Sequence, residues 1–122
     1  MPHGSFDMSE EQYQNLRLEL RRGSLAVAVL AMLRSEHYGY TLRKSLSNHG
    51  MDIDESTLYP LLRRLESQGF LTSEWREESK RQKRYYRLSA NGIVTLTRLL
   101  VEWRQIGDSL ASILREETND PR

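Results

Sequence analysis

A mainly α fold with one small β-hairpin, closed by a long C-terminal helix, is what this sequence predicts, and three observations predict it. Apolar residues recur at steps of three and four in four separate stretches. Between the third and fourth of them, over 71–88, the pattern changes to alternation. The apolar set makes up only 38% of 122 residues, enough for one small core and lean enough to leave part of it for a second subunit to complete.

Residues 1–8 contain Pro2 and Gly4 and no periodic pattern, and read as a flexible N-terminal arm. Ser9 with Gln12 forms a capping box, after which Tyr13, Leu16 and Leu20 recur at helical spacing. Gly23 weakens this helix by about 1 kcal/mol relative to alanine without having to end it, and the run from Leu25 to Leu33 continues as buried helix. One bent helix and two helices both fit. Gly39 opens the next helix, with Leu42 and Leu46 inward and His49-Gly50 as its stop. After a turn over 51–54, a third helix covers about 56–68 with Leu58, Leu61, Leu62 and Leu65 on one side, and Gly69 ends it. Pro60 belongs near a helix start, where its missing N–H has no partner to lose, which predicts Ser56 or Thr57 as the cap.

Leu71, Ser73 and Trp75 alternate with Thr72, Glu74 and Arg76, and Tyr86 and Leu88 with Tyr85 and Arg87, the pattern of a β-hairpin. On this pairing Tyr86 shares the core face with Leu88. Ser89 caps a last helix over 90–116, on which Ile93, Leu96, Leu100, Trp103, Gly107, Leu110 and Leu114 form a seam for a partner helix. Residues 117–122 read as a disordered tail. Three helices, a hairpin and a further helix give a winged helix-turn-helix over 9–89 followed by a dimerisation helix over 90–116, with a two-fold interface that also draws on Leu16 and Leu20.

Composition removes several classes of function. With no cysteine, disulfide staples, thiolate catalysis and cysteine-ligated metals are excluded, and a reducing cytoplasm fits. The longest apolar run is far too short to span a bilayer, so no membrane partner is expected. His3, His37 and His49 lack the spacing and carboxylate partners of a metal site, and no glycine-rich loop is placed to cradle a phosphate. Glu19, Glu66 and Glu102 read as solvating charge. No catalytic constellation, metal or cofactor is therefore expected.

What remains is a distribution of charge. Lys and Arg number 18 against 17 acids, so the net charge of +1 says little, yet over 76–87 six cations face only two carboxylates, a local excess of +4. On a helical wheel of the third helix, Ser56, Pro60, Arg63 and Ser67 lie opposite the leucines, flanked by Tyr59 and Arg64. A face with short polar side chains and arginines is what approach to base edges in a major groove requires, and a basic loop beside it is placed to follow the phosphate backbone. Ordinary solvation of a surface helix, and a charged turn guarding an exposed strand edge, are the simpler readings of the same residues. Tyr40 reads either as a hydroxyl aimed at a phosphate or as a half-buried ring. Trp103 either fills the helix seam or lines a pocket for an effector at the dimer centre.

Several stretches together carry a family likeness: Leu20-Arg-Arg-Gly-Ser-Leu25, Tyr38-Gly-Tyr40, Ser56-Thr-Leu-Tyr-Pro-Leu-Leu-Arg-Arg-Leu-Glu66, Gly69-Phe-Leu-Thr-Ser-Glu-Trp75, Lys83-Arg-Tyr-Tyr-Arg-Leu-Ser89, Ala90-Asn-Gly92 and Glu102-Trp103. They resemble the PadR-like transcriptional regulators, specifically the short members with a single C-terminal helix. The resemblance implies a homodimeric repressor of double-stranded DNA, with the Thr57-Leu-Tyr-Pro60 helix in the major groove, Tyr40 as the tyrosine that follows a glycine, and Lys80, Arg81, Lys83 and Arg84 on a basic wing. It also implies that Trp103 is similar to the tryptophan that lines a flat aromatic pocket in drug-sensing members, which makes a small aromatic effector the expected ligand. The tip Glu77-Glu-Ser-Lys-Arg-Gln82 departs from the family in having no glycine. The rival readings are a winged-helix module that binds proteins, having lost DNA, and one that binds drugs with DNA binding secondary.

Overall fold

The structure, a computed structural model, describes residues 3–119, with side chains described over 9–116. Its elements run α1 (His3–Met32), β1 (His37–Tyr38), α2 (Gly39–Asn48), α3 (Glu55–Ser67), β2 (Leu71–Glu78), β3 (Arg81–Leu88) and α4 (Ala90–Asn119). The first helix is continuous through Gly23, so one helix, not two, spans the segment. It begins at His3, upstream of the expected capping box. Ser9 is thus an interior residue rather than a cap, because a serine inside a helix costs only a few tenths of a kcal/mol and a local capping signal does not by itself stop a helix. Residues 3–8, expected as an arm, and 117–119, expected as part of a disordered tail, are helical in their backbone; Met1, Pro2 and 120–122 lie outside the described residues.

Both helix stops fall where glycine supplies a left-handed residue. After α2, Gly50 has φ 82° and the Met51 N–H reaches back 2.8 Å to the Leu46 carbonyl; after α3, Gly69 has φ 87° and Phe70 N–H meets the Leu65 carbonyl at 3.0 Å. These 6→1 bonds satisfy carbonyls that the helix leaves open. They fold the chain back sharply, so the leucines of α2 and α3 face the same interior.

Val29, Leu30 and Leu33 of α1, Leu42 and Leu46 of α2, and Leu58, Leu61, Leu62 and Leu65 of α3 form the core, closed by Leu71, Tyr86, Leu88 and Leu96. Each such burial contributes about 1.5–3 kcal/mol before conformational entropy is subtracted. Tyr86 is on the core side, as the alternation requires. The sheet has three antiparallel strands in the order β1-β3-β2, one more than the hairpin alone: His37 and Tyr38 pair with Tyr86 and Tyr85. A two-residue strand has no period to read in a sequence.

Ser89 caps α4 by accepting from Gly92 N–H at 3.0 Å, while its own hydroxyl donates to the Gly69 carbonyl. Gly92 is buried against the Phe70 carbonyl, with no room for a Cβ. One expected partner-facing residue, Leu96, is instead consumed in the protomer's own core, because this first third of α4 lies on the helix-turn-helix body. Further on the picture reverses. Residues 101–116 of α4 and 9–20 of α1 are exposed throughout in the single chain.

Candidate nucleic-acid interface

Helix α3 is capped by Asp54, not by Ser56 or Thr57: its carboxylate accepts from the Thr57 N–H at 3.1 Å. Hydrogen bonds from Thr57 and Ser56 hold the Asp54 carboxyl below the usual range. The two expected caps are therefore donors to the real one. Pro60 consequently lies inside the helix, where it removes the N–H that would have met the Ser56 carbonyl. An interior proline costs about 3 kcal/mol, and the four buried leucines around it offset that. Ser56, Thr57, Pro60, Arg63, Arg64 and Ser67 are all exposed, as the wheel requires.

Tyr59 differs from its neighbours. It is half-buried, packed against the core, and its ring lies where a Cβ on Gly39 would be. Its ring thus sets the distance between α3 and the start of α2. Tyr40, next to Gly39, is exposed, and its ring stacks on Tyr38 at 6.4 Å between centroids. Sequence reasoning passed over two cations beside it, Arg43 and Lys44. Together with Arg17, Arg21 and Arg22 of α1 they line an open cleft of about 1000 Å³ that runs to Thr57 at the start of α3. A helical spacing of Tyr40 to Lys44 would have flagged the second of these.

The hairpin ends in a two-residue turn, Ser79-Lys80, with φ of 52° and 65°. Left-handed φ at both central residues is the primed turn that matches strand twist, and glycine-free sequences adopt it at a cost of order 1 kcal/mol per residue. The tip therefore is a tight hairpin despite its lack of glycine. Its strands are pinned at two places. Arg76 binds both carboxylate oxygens of Glu36, donates to Glu74 at 3.0 Å, and lies 4.4 Å from the centre of the Tyr85 ring. That guanidinium holds Glu36 below the usual carboxylate range. On the opposite face Arg84 donates to Glu66 of α3 at 2.9 Å and to the Ser73 hydroxyl at 3.0 Å, and Ser73 donates to the other oxygen of Glu66 at 2.6 Å. Glu66 thus does more than solvate the helix. The Tyr85 hydroxyl donates to Glu78 at 2.6 Å, which pushes its pKa up to about 12.

This divides the basic residues of the wing. Lys83 sits 3.5 Å from Glu78 and 4.6 Å from the centre of the Tyr38 ring, so Lys83 and Arg84, both expected to meet phosphate, are engaged within the protein. Lys80, Arg81 and Arg87 have no salt-bridge partner among the described residues, nor do Arg63 and Arg64 of α3. Of the basic residues expected to meet DNA, those left unpaired are therefore Lys80 and Arg81 at the tip and Arg63 and Arg64 on the exposed face of α3. The Lys83 pair lies within the hairpin, whereas those of Arg76 and Arg84 depend on Glu36 and Glu66, distant in sequence, and no local pattern carries them.

On the far side, the exposed apolar residues of α4 include Trp103 at 48%, Ile106, Leu110, Ile113 and Leu114, and those of α1 include Leu16 and Leu20. Leu100 is half-buried, and a Cβ on Gly107 would meet open space. Ile106 and Ile113 extend the expected seam; their spacing from Trp103 and Leu110, three residues each, is the signal that marks them. Among the described residues no group of His, Cys, Asp or Glu is placed to hold a metal ion, and no helix is long and apolar enough to cross a membrane.

Comparison with known proteins agrees with this architecture. The model of the transcriptional regulator PadR-like family matches residues 29–98. The chain is 43% identical over 63 residues to the transcriptional regulator Rv3488 of Mycobacterium tuberculosis, a match covering 52% of this chain and 59% of that protein, less than two thirds of its length. Among solved structures it is similar to a PadR family transcriptional regulator from Eggerthella lenta, with a TM-score of 0.83 at 42% identity, covering 88% of this chain and 96% of the other. A transcriptional regulator from Clostridium thermocellum gives a TM-score of 0.70 at 28% identity over 77% of this chain and 96% of that one. With the family model spanning more than half of its length and the winged helix-turn-helix in place around it, the chain belongs to the PadR-like family, proteins that regulate transcription rather than catalyse a reaction.

Proposed function

We propose that this protein is a repressor that binds double-stranded DNA as a homodimer on a pseudo-palindromic operator, acting in the cytoplasm by occluding a promoter. One observation carries the reading: the leucine-backed helix α3 exposes Ser56, Pro60, Arg63, Arg64 and Ser67 beside a hairpin whose tip carries the unpaired Lys80 and Arg81. In this reading α3 enters the major groove, Lys80 and Arg81 follow the flanking backbone, and Tyr40 and Lys44 reach phosphates from α2. Tyr59, Lys83 and Arg84 serve the geometry rather than the contact. Two-fold symmetry, generated by residues 101–116 of α4 and the first half of α1, puts half-sites about one helical turn apart or a multiple of it. Trp103, half-exposed on that same face, makes the dimer centre the candidate pocket for a small aromatic effector that relieves repression.

Fluorescence anisotropy with the duplex upstream of the protein's own gene, at two salt concentrations, tests the reading. Replacing Lys80 and Arg81 with alanine weakens binding to every duplex and lowers the salt slope by about one for each phosphate no longer neutralised. Arg63→Ala relaxes sequence preference, with discrimination falling by about 1–3 kcal/mol. The same response from both sets would defeat the groove assignment.

A further inference from the structure

Trp75 is a large apolar side chain left 60% exposed on the wing, and no part of the fold explains it. It pairs with Arg84 across the hairpin and lies on the strand face of Ser73 and Leu71, the face turned toward α3. Its ring is not loose. The Arg84 guanidinium stands 5.4 Å from the ring centre and is itself fixed by Glu66 and Ser73. An exposed indole braced from behind by a cation has little side-chain entropy left to lose on binding, which is the condition under which tryptophans dominate interfaces. Its surroundings select the partner. Arg63 acts electrostatically on the neighbouring Tyr86 and is free of any salt bridge, as are Lys80 and Arg81 at the tip of the same hairpin. Along the hairpin Trp75 thus lies between the unpaired Arg63, beside Tyr86, and the unpaired Lys80 and Arg81 of the tip, while Glu77 and Gln82 share its strand face; the excess of positive over negative charge suits a polyanion with an apolar sugar face.

We infer that Trp75 is a DNA contact, packing its indole on the deoxyribose backbone between the groove entered by α3 and the phosphates followed by the wing tip, with the Glu66–Arg84–Ser73 clamp as its positioning device. The inference rests on the DNA-binding reading above and adds to it a residue that sequence patterning treats as an ordinary strand position.

Three measurements on the full chain, with the duplex upstream of its own gene and a random duplex of equal length as probes, decide it. Trp75→Ala should weaken binding to both about tenfold, and Trp75→Phe by less, while thermal unfolding stays within a degree or two because the ring is exposed. In a Trp103→Phe protein, Trp75 is the sole tryptophan, and its emission should change on adding DNA; if that variant does not fold, the difference between wild type and Trp75→Phe gives the same signal. Unchanged affinity in Trp75→Ala, with Lys80→Ala/Arg81→Ala still impaired, overturns the inference and leaves the function standing. Silent Trp75 emission at saturating DNA overturns it equally. Absence of binding to either duplex by the wild-type protein removes both.

Discussion

At the scale of single residues, the contact between Gly39 and Tyr59 governs how α3 is presented. The phenol ring occupies the volume a Cβ would take, and it contributes both its hydroxyl and its ring edge to that contact. Neither neighbour can retreat easily, since Tyr59 is anchored in the middle of a helix whose other face is buried leucine. Gly39→Ala is therefore expected to destabilise the fold by about 1–3 kcal/mol, the usual cost of overpacking. Part of that destabilisation should disappear in a Tyr59→Ala background, and chemical denaturation of the four proteins of the cycle measures it. A change of the same size in both backgrounds would show that the two residues do not meet. Tyr59 also marks a limit of sequence reading. A wheel places it at the edge of the polar face, and only the tertiary approach of α2 turns it inward.

At the scale of elements, the wing is a hairpin tied to the helices by carboxylates. Glu36 binds Arg76 and lies below its ordinary pKa for that reason; Glu78, receiving the Tyr85 hydroxyl and facing Lys83, is shifted the same way, as is Asp54 at the cap of α3. A carboxyl whose folded pKa is depressed contributes stability above its unfolded pKa and loses it as pH falls through the folded value. His37 adds to this from a higher range. It sits on β1 beside Thr41, whose hydroxyl donates to the Tyr38 carbonyl and so accepts from Nδ1, and burial lowers the imidazole pKa. A lowered histidine pKa contributes stability above about 6.5, lost as pH drops toward the folded value. Thermal unfolding temperature should accordingly fall in two steps, one beginning below about pH 6.5 and one below about pH 4.5, and His37→Gln should abolish only the first. A flat profile between neutral and mildly acidic pH would contradict the assignment of His37. The elements were legible to different degrees for a physical reason. Periods of 3.6 and 2 expose α2, α3, α4 and the hairpin, and the glycines after α2 and α3 end them where expected. β1 is too short to have a period, and the capping box at Ser9 is a local signal overridden by a helix that continues through it. Asp54 was hidden by the preference of Pro60 for helix starts, which buried leucines override here. The pairing of Arg84 depends on Glu66 of α3, outside the hairpin, and no local charge count anticipates it.

At the scale of the whole molecule, the single chain leaves an apolar surface that water does not favour. On α4, Leu99, Trp103, Ile106, Leu110 and Ile113 follow one another at steps of four and three, the repeat of a helix seam, and only Leu99 is partly covered by the protomer's own core. Leu16 and Leu20 of α1 add exposed area of the same kind. A glutamate at position 106 would lie in the middle of that seam and, by two-fold symmetry, would appear twice, so an unpaired carboxylate is buried on each side. Ile106→Glu is expected to weaken self-association on the order of a hundredfold or more, seen by sedimentation velocity at micromolar concentration. The helix-turn-helix body should survive, because its core, from Val29 to Leu96, lies on the other side of Leu100. DNA binding then reports on the assembly: a lone subunit loses the second half-site, and with it the gain of roughly 10²–10⁴-fold that linked sites provide, and its salt slope falls by about half. A variant that stays associated, or one that separates and keeps full affinity for the duplex, would show that the last helix is not what brings two recognition helices to one face.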